Sequence, residues 1–144
     1  MGDQLNAHEF LDMGVDMIWG HGSHTLQPVE YYNGKLIFYS TCNFTFGANG
    51  SPKDPDTAVF QVRFHINEDH SLTAEYLTVL PFRQGKDRDF RPYPITDEAA
   101  RLKCLAKVYA TKTRASKTGS NLPQSFATTG EVDLTAWAAE LAAQ

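Results

Sequence analysis

The sequence has few of the features that mark exported, membrane-spanning or thiolate-metal proteins. It holds two cysteines in 144 residues, and Cys42 and Cys104 form no C-x-x-C pair, so thiolates alone cannot build a metal site. No apolar run approaches the ~20 residues that cross a bilayer. Residues 1–17 lack a basic stretch followed by a long apolar one, so no signal peptide is predicted. We expect a soluble chain with no transmembrane segment, and its compartment stays open.

Positive charge is scarce outside one segment. The net charge is −4, which argues against a dedicated nucleic-acid-binding protein. Residues 1–82 carry three basic and ten acidic side chains, whereas residues 83–117 carry ten basic and four acidic ones. This basic segment has two interpretations: a solvated helix face with its neighbouring loop, or a contact surface for a polyanion or an acidic partner.

The order of elements predicts an α/β (α+β) fold. Residues 3–13 have the spacing of an amphipathic helix ended by Gly14, and residues 15–19 read as a short strand. The chain then enters a loop rich in glycine and histidine. Loops at the carboxyl ends of strands are where α/β proteins bind their ligands.

Two β-hairpins are predicted after that loop. Asn33-Gly34 separates strand-like runs at 29–32 and 35–40, and Asn-Gly suits a type I′ turn, which needs positive φ at both central residues. Alternating runs at 58–66 and 71–80 form the second hairpin, joined by four polar residues.

Composition divides the chain into three regions. We expect one domain over residues 1–110, a linker or exposed loop over 111–130, where Ser, Thr and Gly are frequent, and a helix over 131–144. Within the first region, Thr96 is predicted to cap a helix that begins at Asp97.

The segment that carries chemistry is Gly20-His21-Gly22-Ser23-His24-Thr25-Leu26-Gln27. Two imidazoles three residues apart, beside glycines that let the backbone turn sharply, can converge on one metal ion. Two histidines are an incomplete site, because zinc, manganese and iron normally take three or more protein ligands. The residues alone leave two interpretations open: a partial metal site, or histidines that pack the loop.

Other candidates rest on single residues. Cys42 with His24 as its base would be a nucleophilic pair, if the fold brings them together. His8, His65 and His70 are expected to be structural or surface residues.

Beyond these patterns, the run GVDMIWGHGSHTLQPVEYYNGKLIFYSTCNF, which starts at Gly14, resembles a known family. It is similar to the C-terminal half of the CapA/PgsA proteins of poly-γ-glutamate capsule synthesis. Their pattern is roughly G-A-D-x-V-I-G-H-H-P-H-V-x-Q-x-x-E-x-Y-x-G-K-x-I-x-Y-S-L-G-N-F. The likeness is dense through Phe46 and looser to about Val108, and it does not cover residues 111–144.

The resemblance implies a fold and a site. CapA proteins are similar in fold to the calcineurin-like metallophosphoesterases, so the chain would be the C-terminal portion of a metallophosphoesterase-like β-sandwich flanked by helices. By position, His21 and His24 match the family's metal ligands, whereas Gln27 and Asn43 match residues that line its site. The implied cofactor is a divalent metal (Mn, Zn or Fe), and an active protein would be a metal-dependent hydrolase or transferase.

This sequence also departs from the family pattern. The family's middle histidine is Gly22, its proline is Ser23, and the glycine before Asn43 is Cys42. The family's acidic and amide ligands come mostly from its N-terminal half, so the remaining ligands would come from that half or from another chain. Enzyme activity is therefore left open.

Partners follow from the same resemblance. An open sheet edge predicts a homo-oligomer or a partner chain, and the basic segment is the expected contact for poly-γ-glutamate, a polyanion. Family members are often membrane-anchored and extracellular. The alternative is a non-catalytic binding or assembly module, or a gene fragment without activity of its own.

Overall fold

The computed structural model describes residues 3–45, 52–110 and 118–143 and shows a mixed α/β fold. These residues form four α-helices and seven strands: α1 (Asp3–Asp12), β1 (Met17–Trp19), β2 (Val29–Tyr32), β3 (Lys35–Phe38), β4 (Asp56–Ile66), β5 (Leu72–Arg83), β6 (Tyr93–Pro94), α2 (Glu98–Tyr109), α3 (Phe126–Thr129), β7 (Glu131–Asp133) and α4 (Leu134–Ala142). Lys86–Arg88 form a 3₁₀ turn. None of the helices in these ranges combines the length and the apolar character that crossing a bilayer takes.

The first sheet has the strand order β1-β3-β2 and confirms the first predicted hairpin. Strand β3 runs parallel to β1 and antiparallel to β2. Asn33 and Gly34 join β2 to β3 with φ values of 48° and 80°, the double positive φ that a type I′ turn requires. Because β1 and β3 are parallel, the segments that follow them leave from the same edge of the sheet.

The second sheet is built on the long β4–β5 hairpin, which confirms the second predicted hairpin. Strand β5 also pairs antiparallel with β6 and with β7. The β4–β5 pairing begins at the Asp56–Arg83 pair and extends beyond the predicted runs, and a hydrogen-bonded ion pair between these two side chains closes that end of the hairpin.

A single core cluster connects the two sheets with the C-terminal helices. Its fully buried members come from every layer: Leu36, Phe38, Leu77, Leu105, Phe126 and Leu134. Each such side chain contributes about 1.5–3 kcal/mol by leaving water. Helix α1 packs separately, through Ala7 and Leu11, on Ile37 at the opposite face of the first sheet. The first sheet is therefore covered on both faces.

Helix α2 starts one residue later than predicted, and its cap differs. The carboxylate of Asp97 accepts a hydrogen bond from the backbone N–H of Ala100 and is the N-cap. Thr96 lies outside the helix. A carboxylate at this position also interacts favourably with the positive end of the helix dipole.

Part of the stretch predicted as a linker or exposed loop is packed into the fold. Residues 111–117 lie outside the described residues, but 118–130 include α3 and the buried side chains of Leu122 and Phe126. The side chain of Asn121 accepts from the backbone N–H of Tyr31 and donates to its carbonyl. The buried side chains of Leu122 and Phe126 and the side-chain amide of Asn121 therefore hold this segment in the fold, although its composition is typical of a loop.

Candidate functional site

The loop after β1 and the residues after β3 are joined by backbone hydrogen bonds. The N–H of Gly20 donates to Phe38 O (2.7 Å), and the N–H of Thr41 donates to Gly20 O (3.1 Å). The N–H of Gln27 donates to Ser40 O at 3.0 Å. Residues 20–27 and 40–43 therefore form one connected surface, which we call the strand-end site.

Glycine is required at position 20 because two backbone segments pass too close for a side chain. A Cβ atom there would lie 2.4 Å from the carbonyl oxygen of Tyr39 and 2.6 Å from that of Phe38. These are rigid backbone atoms, so no side-chain movement would relieve the clash. This close approach lets the histidine loop lie directly on the end of β3.

Ser23, which replaces the family's proline, connects the histidine loop to the segment after β3. Its hydroxyl lies 2.8 Å from the hydroxyl of the buried Ser40 and 2.9 Å from the carbonyl oxygen of Thr25. These contacts hold the loop between His21 and His24. They supply local restraint at a position where proline would restrain the backbone covalently.

His24 is oriented by Asn43. Its backbone has φ 57°, and ring atom Nδ1 lies 2.8 Å from Asn43 Oδ1. An amide oxygen only accepts hydrogen bonds, so Nδ1 carries the proton. In the neutral ring the lone pair then lies on Nε2, the atom that can bind a metal ion. The structure thus brings together one predicted metal ligand and one predicted site-lining residue.

His21 lies on the same surface, next to an apolar cavity. Its Nδ1 is 3.3 Å from the hydroxyl of Thr41, and its ring centroid is 6.5 Å from that of Trp19. The adjoining cavity has a volume of about 320 Å³ and is lined mainly by aromatic and small side chains: Trp19, His21, Thr41, Cys42, Phe44, Ala58, Val59 and Phe60. Gln27, the fourth predicted residue, is half-buried and is fixed through its backbone N–H.

Gln84 is a site residue that the sequence did not indicate. Its side chain is fully buried, and Nε2 donates to the carbonyl oxygen of Asn43 at 2.7 Å. Two polar atoms beside this bond, Asn43 Nδ2 and Gln84 Oε1, are buried without a hydrogen-bond partner among the described residues. A single glutamine after a strand carries no motif, so only the fold reveals the contact.

The structure argues against Cys42 as a nucleophile. Its thiol is buried and lies 3.4 Å from the backbone oxygen of His24, to which it donates. Burial raises the pKa of the Cys42 thiol, so the thiol stays protonated at neutral pH. Cys42 also has φ 64°, a left-handed conformation that glycine, the family residue here, adopts without strain.

The two imidazoles account for only part of a coordination shell. Within the described ranges, no three His, Cys, Asp or Glu side chains are arranged to hold one metal ion. The two carboxylates that most closely precede the histidine loop have other roles: Asp12 accepts from the hydroxyl of Tyr32, and Asp16 accepts from the N–H of Leu72. Histidine is a suitable ligand for a divalent metal ion, but two histidines are fewer ligands than such an ion normally takes.

Several cations of the basic segment are used in ion pairs. Lys107 contacts Asp54 (2.6 Å) and Asp56 (2.7 Å), and Arg83 also pairs with Asp56 at 2.7 Å. Burial opposes ionisation of Asp56, but the hydrogen bonds from Lys107 and Arg83 outweigh it and lower the pKa of that carboxyl. Arg101 pairs with Glu98 across one helical turn (2.7 Å).

Other cations of this segment face solvent. They are Lys86, Arg88, Arg91 and Lys103. Asp87 and Asp89 alternate with three of them, which moderates the local positive charge. Lys112, Arg114 and Lys117 lie outside the described residues.

Comparisons with known proteins agree with the motif resemblance. A family model of bacterial capsule synthesis proteins (PGA_cap) matches residues 3–48. The chain is 42% identical over 62 residues to the PGA biosynthesis protein CapA of Bacillus subtilis, which is 43% of this chain and 16% of that protein. It is 31% identical over 90 residues to the capsule biosynthesis protein CapA of Bacillus anthracis, which is 62% of this chain and 20% of that protein.

A mycobacterial relative matches over a shorter region. A probable polyglutamine synthesis accessory protein of Mycobacterium tuberculosis is 50% identical over 38 residues, 26% of this chain and 10% of that protein. The chain thus spans between a tenth and a fifth of the length of these relatives. The matched residues 3–48 contain the histidine loop, and in this segment the chain is similar to the CapA-type bacterial capsule synthesis proteins.

Proposed function

We propose that this chain provides part of a divalent-metal site in a CapA-type protein of poly-γ-glutamate capsule synthesis or export. The observation that carries the proposal is the 2.8 Å contact between His24 and Asn43. It lies at the carboxyl ends of two parallel strands, within the residues that match the family model. The same placement supports a metallophosphoesterase-like fold, whose site collects ligands from strand-end loops.

The chain's own residues would bind and orient the ion. His21 and His24 would be its ligands, and Asn43 would hold the His24 ring in the tautomer that directs a lone pair from Nε2. A bound divalent ion supplies Lewis-acid polarisation of a substrate oxygen and lowers the pKa of a water. The remaining ligands would come from a further part of a longer protein or from another chain.

An open sheet edge supports association with another polypeptide. Among the described residues, β1 pairs with β3 on one side only. Exposed apolar side chains lie on or close to this strand and the end of α1, including Phe10, Met13 and Trp19. A strand edge beside apolar surface favours pairing with a further strand. We propose a homo-oligomer or a partner chain at this edge.

The metal proposal is tested by metal analysis of the full chain, purified without a histidine tag and sized by light scattering. We expect manganese, zinc or iron near stoichiometry in the wild type and its loss in the His21→Ala/His24→Ala variant. His65→Ala is the matched control, since that exposed histidine lies on β4, away from the strand-end site. Metal-free wild type would contradict completion of the site by a second copy of the chain, and would instead support a non-catalytic binding or assembly module or a fragment without activity of its own.

Contact with the polymer is proposed for the exposed cations of the basic segment. Lys86, Arg88 and Arg91 cluster between β5 and β6. Polyglutamate should slow the mobility of the wild type at low ionic strength, and the effect should weaken with salt and in the Lys86→Ala/Arg88→Ala/Arg91→Ala variant. Arg63→Ala, which removes a cation from β4, is the control. Unchanged mobility of the wild type would rule this contact out.

A further inference from the structure

We infer that Gln84 is a positioning residue of the strand-end site: its side-chain amide holds Asn43, and through Asn43 it fixes the ring of His24. Gln84 lies 41 residues from Asn43 along the chain and outside the segment that matches the family model. The effect on metal binding rests on the proposed function, whereas the effect on the His24 ring does not.

Gln84 is held by hydrogen bonds from both its backbone and its side chain. Its backbone N–H donates to Pro55 O at 2.9 Å, which continues the β4–β5 pairing by one residue. Its side chain is fully buried. Ordering and burying a glutamine side chain costs rotamer entropy, in addition to the desolvation of its amide. The 2.7 Å bond to the Asn43 carbonyl is the contact that offsets this cost.

Only one orientation of the amide fits. The Asn43 carbonyl oxygen accepts hydrogen bonds, so Nε2 must face it, and Oε1 points elsewhere and remains unpaired among the described residues. A flipped amide would place two oxygens together. Glutamate at this position would have the same shape but no N–H to donate. The donated hydrogen bond therefore distinguishes glutamine from an ionised glutamate of the same shape.

The restraint reaches His24 because Asn43 is held at both ends. Its carbonyl is fixed by Gln84, and its side-chain oxygen accepts from His24 Nδ1. The preceding residue, Cys42, has φ 64°, a conformation that persists in a non-glycine residue only where the surroundings impose it. Without the Gln84 bond, this turn has one restraint fewer, and the Asn43 side chain can move away from the ring.

The test is the tautomer of His24, read by long-range ¹H–¹⁵N NMR of the metal-free full chain at a pH where the ring is neutral. The wild type should show the pattern of an Nδ1-protonated ring. Gln84→Met keeps the length of the side chain but removes the hydrogen bond, and it should lower the population of the Nδ1-protonated tautomer of His24. Gln61→Met, at an exposed position on β4, should leave His24 unchanged.

Metal affinity gives a second readout. Partners that orient a ligand typically contribute 10–100-fold to metal affinity, so we expect Gln84→Met to weaken Mn²⁺ binding about tenfold. If the wild type binds no Mn²⁺ but the tautomer changes in the variant, the proposed metal site fails and the role of Gln84 stands. An unchanged tautomer in folded Gln84→Met overturns the inference.

A measurement on the wild type covers the case in which Gln84→Met does not fold. The side-chain NH₂ protons of Gln84 should exchange with solvent at least tenfold more slowly than those of the exposed Gln61. Equal exchange rates would show that the amide is not bound to Asn43 and would overturn the inference without any substitution.

Discussion

His24 and Asn43 are 19 residues apart in sequence, and their side chains meet at 2.8 Å between Nδ1 and Oδ1. The contact joins the two ends of the family-like motif, the histidine loop and the Asn-Phe pair after β3. It exists because β1 and β3 run parallel and are in register from Met17–Leu36 to Trp19–Phe38. The resemblance in sequence thus corresponds to one connected surface in space.

Removing the Asn43 side chain should lower the Mn²⁺ affinity while the chain still folds. Asn43→Ala removes the Asn43 oxygen that accepts from the His24 ring, and we expect a 10–100-fold loss of Mn²⁺ affinity. Isothermal titration calorimetry measures the affinity, and thermal unfolding reports stability. His65→Ala provides the comparison. An Mn²⁺ affinity within twofold of the wild type would contradict the orienting role.

Two glycines of the histidine loop should respond differently to alanine. In Gly20→Ala the new Cβ meets the carbonyl oxygens of Tyr39 and Phe38, so we expect a loss of about 3 kcal/mol or more in the free energy of unfolding. Gly22 has φ 102° with open space around it, so Gly22→Ala should cost about 1–2 kcal/mol from backbone strain alone. Urea unfolding of both variants measures these losses, and the structure requires Gly20→Ala to lose more stability than Gly22→Ala.

The ion pairs of Asp56 with Lys107 and Arg83 should make the stability of the fold depend on pH in the acid range. The folded-state pKa of Asp56 lies below its unfolded value because hydrogen bonds from Lys107 and Arg83 outweigh the opposing effect of burial. Its contribution is therefore complete above the unfolded Asp pKa of about 3.9 and is lost as the pH falls through the folded pKa. Asp56→Asn should cost about 3 kcal/mol at pH 7 and progressively less as the pH falls below the unfolded pKa.

The exposed Asp87 provides the control for this dependence. Asp87→Asn should leave the fall in the free energy of unfolding at acid pH unchanged. Chemical unfolding between pH 2.5 and pH 7 gives the comparison. A constant difference between the wild type and Asp56→Asn over this range would show that Asp56 is not the titrating group.

Both cysteines should resist thiol reagents in the folded protein. Burial raises the pKa of Cys104 to about 12 and also raises that of Cys42. Since the thiolate is the reactive form, we expect modification by a disulfide reagent at pH 8 to be at least ~100-fold slower than for free cysteine. Denaturant should expose both thiols at once. Fast labelling of Cys42 in the native state would reopen its role as a nucleophile.

The hairpins and the histidine loop could be predicted from sequence because their signals are local. Asn33-Gly34 specifies its turn through the φ values it permits, and alternation in residues 58–66 specifies a strand with one exposed face. The sequence pattern places the N-cap of α2 one residue too early because Thr96 and Asp97 are both good caps. Only the fold shows that Asp97 reaches the Ala100 N–H.

The long-range parts could not be predicted from composition. Asn121 is one polar residue in a Ser/Thr/Gly-rich stretch, yet it binds the backbone of Tyr31 from 90 residues away. Gln84 likewise reaches Asn43 only because β5 ends beside the strand-end site. Such single polar contacts have no periodicity and depend on the register of distant strands.

Paramagnetic broadening of the histidine resonances by Mn²⁺ in the full, isotopically labelled chain is the decisive test of the metal site. Substoichiometric Mn²⁺ should broaden the ring signals of His21 and His24 first, while those of His65 and His70, on the β4–β5 hairpin, should stay sharp. Uniform broadening of all histidines, or none at stoichiometric Mn²⁺, would contradict a metal site at the ends of β1 and β3.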